Sequence, residues 1–120
     1  MKRLKILFLD DDGTRHYVFE TRLGKYYDID HVWTAESAAN TMLAVMLLGD
    51  PYDLVCLDHD LGNSTGQDTA REMAVIYRDA AKKPRVIIHA HNPIGAQAMK
   101  HILENAGFED VILHPFDLKG

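Results

Sequence analysis

Residues 53–62, DLVCLDHDLG, decide the fold class of this chain. Residues 54–57 form a continuous apolar run, which is typical of a strand buried on both faces of a parallel sheet. The run ends abruptly in Asp58-His59-Asp60. Two carboxylates and an imidazole are unfavourable in an apolar core. In α/β sheets, ligands bind beyond the carboxyl ends of the strands. The triplet therefore marks a candidate site at the end of a buried strand.

The rest of the chain alternates short apolar runs with helical patterns. The predicted strands are residues 5–9, 29–33, 54–57, 86–88 and 111–113, and the predicted helices are residues 14–24, 37–48, 68–79 and 93 to about 107. Thr34 and Asn92 are predicted N-caps, and Pro93 suits a first helical position. This βαβαβαβαβ order predicts one parallel sheet with right-handed crossovers, and hence a single domain over residues 1–120.

Polar residues follow the apolar cores of four predicted strands. They are Asp10-Asp11-Asp12, Asp58-His59-Asp60, His89-Ala90-His91 and His114. Because the carboxyl ends of parallel strands meet at one edge of the sheet, we expect these groups to form one pocket. Strand alternation places Asp58 and Asp60 on one side of the sheet, and His89 and His91 likewise.

Composition narrows the classes of function. No apolar stretch approaches the roughly 20 residues of a membrane span, and no signal peptide is recognisable. The single cysteine, Cys56, fits a reducing compartment, so we expect a cytoplasmic protein without membrane contact. The net charge of −5 argues against an extended nucleic-acid groove, although it leaves room for one phosphate or an RNA end.

Over residues 4–116 the sequence resembles the receiver domains of two-component response regulators. The resemblance rests on Leu9-Asp10-Asp11, residues 53–58, residues 86–90 and His114-Pro115-Phe116. It implies a flavodoxin-like, receiver-like doubly wound sheet of five strands in the order 2-1-3-4-5. Two departures stand out, because His89 replaces the Thr or Ser of receivers and His114 replaces their Lys. The last receiver helix is also expected to be missing or truncated.

A narrower group fits better. Leu57-Asp58-His59-Asp60-Leu61-Gly62, Thr65-Gly66-Gln67-Asp68 and residues 89–96, HAHNPIGA, resemble the cyclic-phosphate processing receiver-like domains. That resemblance implies a phosphoesterase that hydrolyses a cyclic phosphate. The substrate would be a cyclic nucleotide, a cyclic oligonucleotide or a 2′,3′-cyclic RNA end.

The chemistry of such a reaction assigns candidate roles. His89 and His114 form the predicted acid–base pair, in either order, and His91 is a third candidate. The predicted metal ligands are Asp10, Asp11, Asp58 and Asp60, for Mg²⁺ or Mn²⁺, and the His89-x-His91 pair would also suit Zn²⁺. Asp58 could instead orient an imidazole, and Asn92 begins a helix whose N–H groups could bind a phosphate.

Other polar residues are expected to have structural roles. Asp12 is a predicted cap, His59 is expected to point away from Asp58, and Cys56 should be buried and inert. His16, His31 and His101 are likewise predicted to be structural.

Two rival functions remain open. The domain could be a stand-alone receiver that is phosphorylated on Asp58. It could also be a non-enzymatic module whose acidic edge binds a ligand or an unknown protein partner.

Overall fold

Strands and helices alternate strictly along the chain, as the sequence predicts. The structure, a computed structural model, describes residues 3–61 and 64–115. The elements are β1 (Lys5–Leu9), α1 (Gly13–Leu23), β2 (Asp28–Val32), α2 (Ala35–Leu47), β3 (Leu54–Leu57), α3 (Gly66–Ile76), β4 (Arg85–Ile88), α4 (Pro93–Asn105) and β5 (Val111–Leu113).

The five strands form one parallel sheet in the order β2-β1-β3-β4-β5. This confirms the predicted flavodoxin-like, receiver-like topology. The sheet is buried on both faces because β1, β3 and β4 carry continuous apolar runs. One face, including Leu7, Leu57 and Ile88, packs in the main core with α2, α3 and α4. The other face carries Phe8 and Cys56 and packs against Phe19 of α1 and its neighbours.

Helices α1, α2 and α3 begin one or two residues earlier than predicted, because each start is set by a cap and not by the first apolar residue, whereas α4 begins at Pro93 as predicted. The Asp12 carboxylate accepts hydrogen bonds from the backbone N–H groups of Thr14 and Arg15, so α1 begins at Gly13. The Thr34 hydroxyl accepts from Ser37 N, so α2 begins at Ala35 and not at residue 37. Helix α3 begins at Gly66 and ends at Ile76, two residues early and three residues short of the predicted end.

At the other end of the chain, the described residues continue to Pro115, two residues beyond β5. The prediction that the last receiver helix is missing concerns residues 116–120, which lie outside the described residues. Within the described ranges, no helix is both long enough and apolar enough to span a membrane.

The alternation of side chains along the strands determines what faces α1. Phe8 and Cys56 lie in the smaller core on that face. Residues two positions apart in a strand point to the same side, so Asp10 and Asp58 continue this face where β1 and β3 end. His89 follows Ile87 of β4 in the same way. The N-terminal turn of α1 therefore lies directly above the predicted site.

Candidate functional site

Three polar side chains meet at the carboxyl edge of the sheet. Asp10, Asp58 and His89 each offer a possible ligand atom, and these atoms lie within 4.8 Å of one another. All three residues are buried, with relative exposures of 0%, 6% and 3%. The ring of His89 also stacks on Phe8, with centroids 4.9 Å apart. The sequence predicted this convergence from the strand ends.

Asp10 is fully engaged by hydrogen-bond donors. Its Oδ1 accepts from Asp12 N at 2.9 Å and from Arg15 Nη2 at 3.0 Å. Its Oδ2 accepts from Arg15 Nε at 2.7 Å and from His89 Nε2 at 3.0 Å. Burial by itself would raise the pKa of Asp10, but the hydrogen bonds from His89 and Arg15 outweigh it and hold the pKa well below its usual range.

Asp58 has a different environment, although it is the same type of residue. Its Oδ1 accepts from His59 N at 2.8 Å. Its Oδ2 is buried and accepts no hydrogen bond from the described residues, and Arg15 Nη2 lies 3.6 Å away. Burial raises the pKa of Asp58, and the charge on Asp10 raises it further. One carboxylate of the site is thus held ionised while its neighbour is pushed towards its neutral form.

Arg15, which the sequence analysis did not single out, places its guanidinium among the carboxylates. Besides its two bonds to Asp10, it lies 3.5 Å from Asp12, 3.6 Å from Asp58 and 3.9 Å from Asp11. The hydrogen bond to Asp10 raises the pKa of Arg15. A signal was present in the sequence, because a basic residue in the first turn of a helix opposes the helix dipole unless a nearby acid compensates for it.

A chain of hydrogen bonds links Asp10 to the edge strand β2. His16 Nε2 donates to the Asp10 carbonyl at 2.8 Å, because a carbonyl oxygen can only accept. His16 Nδ1 then pairs with His31 Nδ1 at 2.7 Å, and His31 Nε2 pairs with Glu20 Oε1 at 3.0 Å. Burial lowers the pKa of His16. His16 and His31, both predicted to be structural, therefore support the backbone at Asp10.

Two further predicted metal ligands lie at the margin of this cluster. Asp11 has a side chain that is 41% exposed, and its Oδ1 lies 3.9 Å from Arg15 Nη2. The Asp60 side chain is 77% exposed and accepts from His59 Nδ1 at 3.0 Å. His59 itself is buried against Gly95 at the start of α4, away from the Asp58 carboxylate as predicted.

The remaining predicted site residues lie at the ends of β4 and β5. His114 N donates to Ile88 O at 2.9 Å, which places the exposed His114 beside His89 on the neighbouring strand end. His91 is exposed. Asn92 caps α4, because its Oδ1 accepts from Gly95 N at 3.1 Å.

Comparisons with solved structures agree with the fold. The structure resembles the receiver domain of the histidine kinase CKI1 from Arabidopsis thaliana complexed with Mg²⁺ and BeF₃⁻ (TM-score 0.71, 17% identity, 91% of this chain and 79% of that chain). It also resembles a CheY-like response regulator receiver domain from Methylobacillus flagellatus (TM-score 0.68, 15% identity, 98% and 92%). A further likeness is to the signal receiver domain of a putative Luxo repressor protein from Vibrio parahaemolyticus (TM-score 0.63, 22% identity, 96% and 81%). The fold is therefore that of receiver domains.

The family can be stated more narrowly. Residues 5–105 match the cyclic-phosphate processing receiver domain, and the chain belongs to that family. No curated protein matches the chain. The family resemblance predicted from the sequence motifs is confirmed.

Proposed function

We propose that this domain hydrolyses a cyclic phosphodiester at the edge formed by Asp10, Asp58 and His89. One observation carries the proposal, namely a buried imidazole held between an ionised carboxylate and an aromatic ring. Beside it lies a second carboxylate with one oxygen that accepts no hydrogen bond from the described residues. Burying a polar group without a hydrogen-bond partner costs stability, and buried titratable groups with shifted pKa values cluster at functional sites. The description of the family supports the same chemistry.

The reaction is the addition of one water molecule across a P–O bond. A base removes a proton as the water oxygen attacks phosphorus, the ring P–O bond breaks, and an acid protonates the departing oxygen. The product is a phosphomonoester with a free hydroxyl group. His89 and His114 are the proposed acid–base pair, because adjacent strands are about 4.8 Å apart and the backbones of these two residues are neighbours.

Two further residues have supporting roles in this proposal. Asp10 accepts from His89 Nε2 and so fixes the tautomer and orientation of the ring. Arg15 is 23% exposed, so its guanidinium can offset the charge on the non-bridging phosphate oxygens.

A divalent cation, which the receiver resemblance implies, does not fit the arrangement of these side chains. Both oxygens of Asp10 already accept two hydrogen bonds each, and a metal would have to displace Arg15 to reach them. Asp58 Oδ2 is the one carboxylate oxygen of the three-residue cluster without a donor among the described residues. The proposed reaction therefore relies on the side chains of the chain itself.

The test is turnover of 2′,3′-cyclic nucleotides, 3′,5′-cyclic nucleotides and cyclic oligonucleotides by His89→Ala and His114→Ala. Each variant should lose about 10²–10⁴-fold in rate, which is the usual contribution of a general acid or base. The wild-type rate should depend on pH in a bell shape that reports the pair of groups. His101→Ala is the matched control, since His101 is exposed on α4 and bonds only to Asn105 among the described residues.

Each negative result points to a different conclusion. If both histidine variants retain full activity, the assigned acid–base pair is wrong. If the folded protein turns over none of the substrates, the binding-module hypothesis takes precedence. Asp58 Oδ2 at the end of β3 accepts no hydrogen bond from the described residues, which favours a second candidate, a receiver phosphorylated on Asp58.

A further inference from the structure

We infer that the guanidinium of Arg15 is the resident cation of this site and occupies the place that a divalent metal takes in receivers. In this view, Arg15 supplies the positive charge that balances the carboxylates of Asp10 and Asp58. This role does not depend on whether the site hydrolyses a cyclic phosphate.

The carboxylates of the site require a neighbouring positive charge. Asp10 and Asp58 lie together in a buried site, where two unscreened carboxylates would repel each other strongly. Arg15 contacts both of them, at 2.7 Å and 3.6 Å. It also lies within 3.9 Å of Asp11 and Asp12. A single side chain thus lies within 4 Å of all three carboxylates that follow β1 and of Asp58, the first carboxylate after β3.

The geometry of the acceptor oxygens suits a guanidinium. A guanidinium binds a carboxylate through two parallel N–H groups, and Arg15 meets Asp10 in this bidentate way. Mg²⁺ instead requires oxygen ligands at about 2.0–2.1 Å with open lone pairs. Asp10 has no free lone pair for a metal, because its oxygens also accept hydrogen bonds from Asp12 N and His89 Nε2.

The guanidinium is also preorganised. Arg15 lies in the first turn of α1, and its backbone N–H is bound to the Asp12 cap. Folding therefore delivers the guanidinium to the carboxylates, whereas a metal ion must lose its own translational freedom and several tightly held waters. The guanidinium of Arg15 should therefore bind the carboxylates in preference to a metal ion.

The experiment compares the wild type with Arg15→Gln, which removes the positive charge while retaining hydrogen-bonding capacity. Mg²⁺ and Mn²⁺ are titrated at constant ionic strength and followed by calorimetry. A second readout is the fluorescence of Trp33, the only tryptophan, which stacks on His16 with centroids 4.0 Å apart. The wild type should show no saturable binding up to about 10 mM metal, and Arg15→Gln should bind at least about tenfold more tightly.

The matched control is Arg71→Gln. Arg71 also pairs with an aspartate three residues before it near the start of a helix, at 3.3 Å, but it is exposed and distant in sequence from the site. It should leave metal binding unchanged. If Arg15→Gln is unstable, Mg²⁺ or Mn²⁺ should raise its melting temperature where NaCl of equal ionic strength does not.

Two outcomes would overturn the inference. Saturable binding of Mg²⁺ by the wild type as tight as by Arg15→Gln would show that the guanidinium does not hold the place of the metal. Failure of Arg15→Gln both to bind a metal and to be stabilised by one would show that the carboxylates need no cation.

Discussion

At the scale of single residues, Asp10 and Asp58 show how the environment assigns opposite properties to one side chain. Four donors surround the Asp10 carboxylate, and two of them belong to Arg15. Asp58 has one backbone donor on one oxygen and none on the other among the described residues. The pKa of Asp10 is lowered and that of Asp58 is raised. Their contributions to stability therefore have opposite signs near neutral pH.

Asp10→Asn should destabilise the protein by about 3 kcal/mol or more at neutral pH, because it breaks a buried ion pair. Since the folded-state pKa is lowered, the contribution of Asp10 is fully present above its unfolded pKa of about 3.9. It is lost as the pH falls from there towards the folded-state pKa. Urea denaturation of the wild type and the variant across this range measures the difference.

Asp58→Asn should have the opposite effect and raise stability at neutral pH. The raised pKa means that the ionised form of Asp58 is disfavoured in the folded protein, and asparagine removes that charge. The gain should begin to fall as the pH drops below the folded-state pKa and vanish below the unfolded-state pKa of about 3.9. Asp79→Asn, at a highly exposed carboxylate, is the neutral control for both variants. A loss of stability in Asp58→Asn at neutral pH would contradict this account.

At the scale of the elements, glycines allow the helices to approach the strand ends. A Cβ on Gly66, the first residue of α3, would collide with the backbone oxygen of Asp58 and with Met99. A Cβ on Gly95 of α4 would lie 2.5 Å from the ring of His59. The two glycines thus keep the starts of α3 and α4 close to the candidate site. They belong to the motifs of residues 65–68 and 89–96.

Gly66→Ala should destabilise the protein by about 1–3 kcal/mol, since neither the Asp58 backbone nor the packed Met99 side chain can move freely. Gly13→Ala is a closely matched control, because Gly13 is also the first residue of a helix and nothing lies within 4 Å of its added Cβ. That control should be neutral or stabilising by up to about 1 kcal/mol. Chemical denaturation distinguishes the two, and equal losses would show that close approach is not the reason for Gly66.

At the scale of the whole molecule, the chain has the fold of a receiver domain, but two positions of its site carry residues that differ from those of receivers. His89 takes the position of a receiver Thr or Ser by resemblance, and it is bonded to Asp10 and stacked on Phe8. The exposed His114 replaces the receiver Lys. In receivers, the residues at these two positions bind the oxygens of the aspartyl phosphate and respond to it. Because His89 and His114 replace them here, we expect no phosphorylation-dependent switch in this protein.

Beryllofluoride with Mg²⁺, or acetyl phosphate, should therefore leave the amide NMR spectrum and the Trp33 fluorescence of this protein unchanged. Asp58→Asn, which cannot form the acyl adduct, serves as the control. A spectral change in the wild type that is absent from Asp58→Asn would favour the stand-alone receiver over the hydrolase.

Much of the molecule could be derived from the sequence, because hydrophobic periodicity and turn residues are local signals. The strands β1, β3 and β5 have the predicted bounds, and the sheet has the order that the receiver resemblance implied. The edge at which Asp10, Asp58 and His89 meet followed from the rule that parallel strands end together. Helix starts were less certain, since Asp12 and Thr34 bind N–H groups upstream of the first apolar residue.

The tertiary structure alone decided which polar groups touch. Asp10 and His89 are 79 residues apart in the sequence, and their hydrogen bond exists because the three crossovers between β1 and β4 bring these strands to either side of β3. The insertion of Arg15 between Asp10 and Asp58 depends on α1 covering that face of the sheet, as does the His16–His31 chain. The residue types along the chain fix the chemistry that is available. The packing of α1 on the sheet fixes which carboxylate is paired with the guanidinium of Arg15, and which one has an oxygen without a hydrogen-bond donor among the described residues.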